Sequence, residues 1–280
     1  DSRLSVEWTQ PDLRLLSDLR TNGHMSAATY FRLLMPEILP REIERVIYLD
    51  ADLLVRRDIG ELWDVPMHGH ATLAGQDFTA PWMDASVVFP NVNLAKKLVS
   101  AVTPVPNYRE LGIAANSAYF NAGVLVVDLN RWRREKLAEK CLACLRQNRE
   151  HVLFWDQYAL NVVLHDCWGQ LDLRWNQAAH VYNYRRWQDS LFDRETFGRV
   201  RSDPWIVHFC LPSKPWLYFC RHPFASDWRE CQARTEWRGE RPTEFMKSLW
   251  DYHYRPLRTG FRRNVKSVQA AIESKLRKAA

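Results

Sequence analysis

No stretch of this sequence reaches the roughly 18 consecutive apolar residues that a membrane-crossing helix needs, so an integral helical span is not expected. Asp1-Ser2-Arg3-Leu4-Ser5-Val6-Glu7-Trp8 lacks the basic and then apolar pattern of a secretory signal. An initiator methionine is missing too, and the chain reads as cut from something longer. Cysteine is sparse: six residues, without the spacing of a disulphide-stapled scaffold, point to reduced thiols in a cytosolic compartment. Cys141 and Cys144 lie in a helical pattern with no second pair at zinc spacing, and are read as buried, inert thiols rather than metal ligands. Internal repeats and low-complexity segments are absent, which excludes solenoid and linker architectures.

What is present is an ordinary globular composition, 46% hydrophobic and 26% charged over 280 residues, enough for one large α/β domain with an appendage. Its most informative stretch is Arg45-Val46-Ile47-Tyr48-Leu49-Asp50-Ala51-Asp52-Leu53-Leu54-Val55. A short apolar run rich in β-branched and aromatic residues reads as a buried strand, and strand alternation places Asp50 and Asp52 on one face where the run ends. Two carboxylates so close call for a counter-charge, and hard oxygen ligands suit magnesium or manganese. The same spacing also occurs in exposed loops; the apolar run in front favours a site.

In chain order, Leu4–Trp8 alternates like a strand, and Ser26 is placed to cap a helix through Thr29–Met35 that Pro36 and Pro40 break. Ile59–Trp63 reads as a helical turn, and Ala71–Gly75 as a strand leading to Asp77. Ala118–Leu129 reads as a strand interrupted by Gly123, which allows a bulge or a ligand's close approach. Asn130 is placed to cap a helix running to about Asn148, and Trp155 opens another with Asp156 and Gln157 in its first turn. Trp205–Phe209 reads as a strand ending near His208. A lone histidine beside an apolar run is more often structural than a ligand. Lys214, in a Pro-flanked loop six residues on, is the point charge a diphosphate needs.

Tyr48-Leu49-Asp50-Ala51-Asp52, Tyr119-Phe120-Asn121-Ala122-Gly123-Val124, Asp156-Gln157 and His208-Phe209-Cys210-Leu211-Pro212-Ser213-Lys214-Pro215-Trp216, in that order, resemble the signatures of glycosyltransferase family 8. The resemblance runs from about Arg32 to Trp228 and is strongest to bacterial lipopolysaccharide galactosyl- and glucosyltransferases. It implies an α/β, nucleotide-sugar-binding (GT-A-like) mixed sheet flanked by helices, a UDP-sugar donor, a glycan or glycolipid acceptor, manganese with magnesium as a substitute, and retention of anomeric configuration. Position by position it implies that Asp50, Asp52 and His208 ligate the metal and that Lys214 balances charge on the leaving UDP. Arg32, Asp77, Asn121 and Asp156 would contact the donor sugar, with Gln157 near the anomeric carbon. An amide is a poor nucleophile, so a front-face attack by the acceptor hydroxyl is expected rather than a covalent glycosyl-enzyme.

The chain departs from the family pattern at Leu211, where glycine is usual, and at its start, which lacks the family's first βαβ unit and its uracil-binding Asp. Residues 1–228 are therefore expected to form an N-terminally incomplete catalytic domain, and 229–280 a basic, partly helical extension. Two other readings are open: an Asp-x-Asp phosphatase of the haloacid-dehalogenase type, against which Leu54 stands, and a non-catalytic sugar- or membrane-binding remnant. Among the 13 tryptophans, Trp216 and Trp228 are the candidates for sugar stacking, with core packing the plainer alternative.

From Arg255 to Ala280 eight Lys or Arg face one acid, Glu273, a net of +7 in a chain of +6, so the rest carries −1. Phe261, Val265, Val268, Ile272 and Leu276 fall on one face of a helix. That pattern fits a helix packed on the domain, or one lying on an anionic membrane; a nucleic-acid role is not expected, because the domain has no basic stripe. The expectation is a cytoplasmic enzyme, peripherally associated with the inner face of the membrane.

Overall fold

The run Val124-Leu125-Val126-Val127 is apolar without alternation, which demands cover on both faces of the strand it forms. A computed structural model describes residues 5–19, 27–89, 98–190, 192–211, 214–217 and 220–240. The chain divides into two units, Asp1–His208 and Phe209–Ala280.

In the first unit, a 3-10 helix over Ala27–Leu34 runs into α1 (Met35–Ile38). Then come β1 (Arg45–Leu49), β2 (Leu53–Val55), α2 (Ile59–Trp63), β3 (Thr72–Gln76), β4 (Phe120–Asp128), α3 (Leu129–Arg134), α4 (Leu137–Gln147), α5 (Trp155–Val163) and β5 (Trp168–Gln170). After a 3-10 turn, Leu173–Asn176, follow β6 (Gln177–Ala178), α6 (Arg194–Ser202) and β7 (Ile206–His208). The second unit contributes α7 (Ala225–Gln232).

Among the described residues there are two sheets, ordered β1-β4-β3-β5 and β2-β7-β6. β4 pairs antiparallel with β1 and β3, while β3 and β5 run parallel. In the second sheet β7 is antiparallel to β2 and parallel to β6. The mixed α/β architecture agrees with the sequence reading, with helices flanking the sheets. Leu125 and Val127 face α4 and α5 through Cys141, Leu142, Tyr158 and Leu160. Val124 and Val126 face the opposite way, toward Leu62, Trp175 and Ile206. β4 is thus the buried centre of the unit, and the absence of alternation has its cause.

Cys141 and Cys144 are buried in that core, as expected of inert thiols. Burial pushes the Cys141 thiol well up and the Cys144 thiol up to about 11, so neither is a thiolate at neutral pH.

Several local readings need correction. Ser5–Trp8 is exposed and forms no strand; alternation without a partner strand to pair with leaves Trp8 95% exposed. Ser26 lies outside the described residues, as do Pro212, Ser213 and the whole segment from 241 to 280 that contains the basic tail pattern. Pro36 does not break a helix but stands in the first turn of α1, where its missing N–H is not needed. The apolar run ahead of the Asp pair is not a buried strand with the pair on one face of it: β1 is a half-buried edge strand, and Asp50-Ala51-Asp52 is a turn that carries the chain into the other sheet. The helix cap is Asp128, whose carboxylate accepts from Arg131 N, and not Asn130. The helix expected to reach Asn148 is split at Lys136, which adopts φ 54° in the left-handed region.

The entry into β1 is set by a residue that sequence patterning passes over. All five N–H groups of the Arg133 guanidinium are used on backbone carbonyls: Pro36, Leu39, Pro40, Arg41 and Ile43, at 2.9–3.2 Å. These carbonyls include orphan acceptors at the end of α1, so α3 fastens the loop that delivers β1. Charge-assisted bonds of this kind contribute about 1.5–3 kcal/mol in favourable settings, less where water competes. Arg133→Ala is expected to lower the unfolding free energy by about 2 kcal/mol in urea titrations, and Arg133→Lys to recover little of it, because an ammonium cannot span five acceptors. A loss below about 0.5 kcal/mol, the level of an ordinary surface substitution, contradicts this role.

Candidate functional site

The turn between sheets explains the Asp pair. β1 ends against β4, with Asp50 N donating to Gly123 O at 2.9 Å, and three residues later β2 begins with Leu53 opposite His208. Asp50 and Asp52 are therefore brought to the end of β7 by strand pairing, not by alternation within one strand. His208 Nε2 lies 3.2 Å from Asp52 Oδ1 and 3.8 Å from Asp50 Oδ2. One ligand atom from each of the three falls within 4.8 Å of the others.

Arg32 enters this cluster from the 3-10 helix. Its guanidinium, 7% exposed as a residue, meets Asp50 Oδ1 and Asp156 Oδ2 at 2.9 Å each, donates to the Ala122 carbonyl and lies over the Tyr48 ring at 4.5 Å. Burial works against the cation, yet Asp156 and then Asp50 hold its pKa above the usual value. Asp156 is itself 3% exposed and accepts from Thr29 Oγ1 at 2.7 Å. Burial pushes its carboxyl upward, against the pull of Arg32 and Thr29. Tyr48 donates to Asp50 Oδ1 at 2.8 Å, and burial raises the phenol's pKa.

Asp77, just past β3, is buried but fully solvated by the protein. Thr79 N, Thr79 Oγ1 and Ala80 N donate to Oδ1, while Asn121 Nδ2 and Gln157 Nε2 donate to Oδ2, all within 2.7–3.1 Å. Gln157 is held at both ends, since its Oε1 accepts from Ala122 N at 3.0 Å. Asn161, one turn on, closes the start of β4 by accepting from Phe120 N and donating to Phe120 O. Trp155 precedes Asp156 at φ 43°, a backbone region that bulky residues rarely occupy.

Eight of the nine residues singled out from the sequence, Arg32, Asp50, Asp52, Asp77, Asn121, Asp156, Gln157 and His208, thus form one connected network at the ends of β1, β3 and β7 and the starts of β4 and α5. Lys214 belongs to the second unit, where its ammonium donates to the Phe209 carbonyl and lies 6.0 Å from the Trp216 ring. Trp216 and Trp228 pack on each other with centroids 5.7 Å apart, and Trp216 remains 38% exposed. A cavity of about 380 Å³ bounded by Gln76, Gln170, Arg174, Phe192, Thr196 and Arg199 contains none of the nine. Its guanidinium groups are paired, Arg174 with Asp172 and Arg199 with Glu195, so the network and not the cavity is the candidate.

Sequence reasoning missed Thr29 and Asn176, which have no local pattern to mark them. It saw Gly123 but not its neighbour: a Cβ there would come within 2.3 Å of His208 Cε1, so the glycine makes room for the imidazole.

Known proteins resemble this chain in sequence and in fold. The profile described as "Glycosyl transferase family 8" matches residues 5–220. The chain is 27% identical over 235 residues to General stress protein A of Bacillus subtilis (strain 168), covering 83% of this chain and 74% of that protein. It is 25% identical to the lipopolysaccharide 1,3-galactosyltransferase of Salmonella typhimurium (strain LT2), covering 81% of this chain but 60% of that protein. In fold it is similar to the galactosyltransferase LgtC, crystallised with donor and acceptor sugar analogs: TM-score 0.62, 23% identity, 85% of this chain and 77% of that one. That likeness carries the fold, a GT-A-like mixed α/β architecture. The phosphatase reading of the Asp pair finds no support in these matches. Because the profile match takes in β1 through β7 and every residue of the network, the chain belongs to glycosyl transferase family 8.

Proposed function

We propose that this chain is a retaining hexosyltransferase that moves galactose or glucose from a UDP-sugar to a glycan acceptor, lipopolysaccharide or a related surface glycan. The observation that carries the reading is the convergence of Asp50, Asp52 and His208 beside a network of buried, oriented sugar-type hydrogen-bonding groups. Two carboxylate oxygens and one imidazole nitrogen within 4.8 Å of one another fit a divalent ion such as manganese, with magnesium as a substitute. Such an ion would act as a Lewis acid toward the donor diphosphate.

The way each group is held supports the other roles. Asp77 and Asn121 are fixed rigidly enough to orient a donor sugar. Asp156 accepts from Thr29 through Oδ1 and lies 2.9 Å from the Arg32 guanidinium through Oδ2, which supports a part in holding Arg32 beside Asp50 at the donor-sugar site. Gln157 has its carbonyl on Ala122 N and its amide nitrogen on Asp77, which suits a positioned dipole beside the anomeric carbon and not a nucleophile. The acceptor hydroxyl then attacks on the face from which UDP leaves, with Lys214 balancing charge on the departing diphosphate.

With a panel of UDP-sugars and manganese, the protein is expected to turn over UDP-galactose or UDP-glucose, with UDP release as the readout and product anomer read by NMR. Asp50→Asn and Asp52→Asn should each lower transfer by on the order of 10³-fold or more with the fold intact by circular dichroism. His208→Ala should weaken manganese binding by a smaller factor. Near wild-type transfer by Asp52→Asn in the presence of manganese overturns the metal reading.

The basic segment from Arg255 onward lies outside the described residues, and no helix among the described residues is long and apolar enough to cross a membrane. We assign to that segment a reversible contact with anionic lipid on the inner membrane face, on the strength of its +7 net charge and helical apolar spacing. At about 1 kcal/mol per basic residue near such a surface, half of the eight supply roughly 4 kcal/mol. The full chain is expected to co-sediment with anionic vesicles and release in salt, and a chain ending near Pro256 to remain in solution. Equal binding with and without the tail refutes the assignment.

A further inference from the structure

A neutral imidazole carries its proton on either ring nitrogen, and only one of the two tautomers leaves Nε2 of His208 with a lone pair between Asp50 and Asp52. The choice is written in a chain of hydrogen bonds. Gly123 N is a backbone donor and faces one end of the Asn121 amide at 2.9 Å, so that end is the carbonyl oxygen. The amide nitrogen then faces Asp77 Oδ2 at 3.0 Å, a carboxylate oxygen with no hydrogen to give. The two ends of Asn121 therefore agree, and its orientation is fixed from both sides.

The same Asn121 oxygen receives a bond of 2.9 Å from the Asn176 amide, which must turn its nitrogen that way. What Asn176 presents to His208 is its oxygen, 2.9 Å from Nδ1. An oxygen there accepts, so Nδ1 carries the proton. Asn176 is 2% exposed and His208 4%, so water does not compete for either bond. Nor can the ring tilt away, because it fills the space left by the missing Cβ of Gly123.

We propose that Asn176, itself oriented by Asn121, is a positioning residue that locks His208 in the Nδ1–H tautomer and so presets Nε2 as the third donor for a divalent cation. The inference rests on the metal reading above but is tested apart from it. In a ligated histidine the other ring N–H bonded to a carbonyl fixes tautomer and ring direction, and loss of such a partner typically costs about 10–100-fold in metal affinity.

Long-range 1H–15N correlation spectra of the metal-free wild-type protein, taken at a pH where His208 is neutral, are expected to show the proton on Nδ1. Asn176→Leu, similar in bulk but without an acceptor, should lose that preference and bind manganese about 10–100-fold more weakly by electron paramagnetic resonance of the free ion. Asn176→Asp keeps an acceptor opposite Nδ1 at the cost of the bond to Asn121, and should retain the tautomer and most of the affinity. A neutral His208 protonated on Nε2 in the wild type overturns the proposal, and so does a folded Asn176→Leu protein with unchanged manganese affinity. If Asn176→Leu fails to fold, the wild-type tautomer decides alone. A wild-type protein that binds no manganese but shows Nδ1–H sinks the metal reading and leaves the positioning role of Asn176 standing.

Discussion

Arg32 is the charge on which the arrangement depends. Its guanidinium reaches Asp50 at the end of β1, Asp156 at the start of α5 and the Ala122 carbonyl in β4, so three elements distant in sequence meet at one buried cation. Taking a guanidinium out of water is costly, and the two carboxylates must offset that cost. They do so mutually: Arg32 stabilises a carboxylate at Asp156 that burial opposes, and Asp156 stabilises a guanidinium that burial also opposes. Neither member has a place in this interior without the other. The pair thereby ties the direction of Asp50 to the packing of the helix bearing Arg32, because the cation that satisfies Asp156 also holds Asp50 Oδ1.

The balance of charge around that cation has a consequence for chemistry. Asp50, Asp52, Asp77 and Asp156 all join the network, against one guanidinium. Asp77 is satisfied by neutral donors alone, while Asp156 accepts from a threonine hydroxyl and lies against Arg32. Asp50 shares Arg32 with Asp156 and accepts from Tyr48, and an imidazole nitrogen faces Asp50 and Asp52. A lone pair directed at two carboxylates is repulsive unless a proton or a metal ion lies between them.

Much of this was legible in the sequence, and the limits are physical. β3, β4, α5 and β7 were visible because each is short, apolar or regularly periodic, and Asp77, Asp156 and His208 stand at their ends, whereas Arg32 and Asn121 were marked only by the family resemblance. Asp50 and Asp52 were found for a reason the structure replaces: they converge because the chain changes sheets between them, a matter of long-range pairing that no local period encodes. Arg133 and Asn176 were invisible for a related reason. Their partners are backbone carbonyls about 90 residues away and side chains 32 and 55 residues away, and nothing in their own neighbourhood marks them. Ser5–Trp8 shows the converse, a local alternation that produced no strand.

The hydrogen-bond chain from Asp77 to His208 also sets how the two halves of the network respond to change. Asn121 Oδ1 accepts from both Gly123 N and Asn176, while its nitrogen serves Asp77. A substitution at Asn121 therefore disturbs Asp77 directly, and it frees Asn176 to rotate, which removes its oxygen from His208 Nδ1. Networks of this kind do not divide into separate pairwise contributions, because each amide is oriented by the next. Loss of function on changing Asn121 would accordingly say little about sugar contact by itself. A change at Asn176 is the cleaner probe, since it alters the imidazole and leaves the bonds of Asp77 in place.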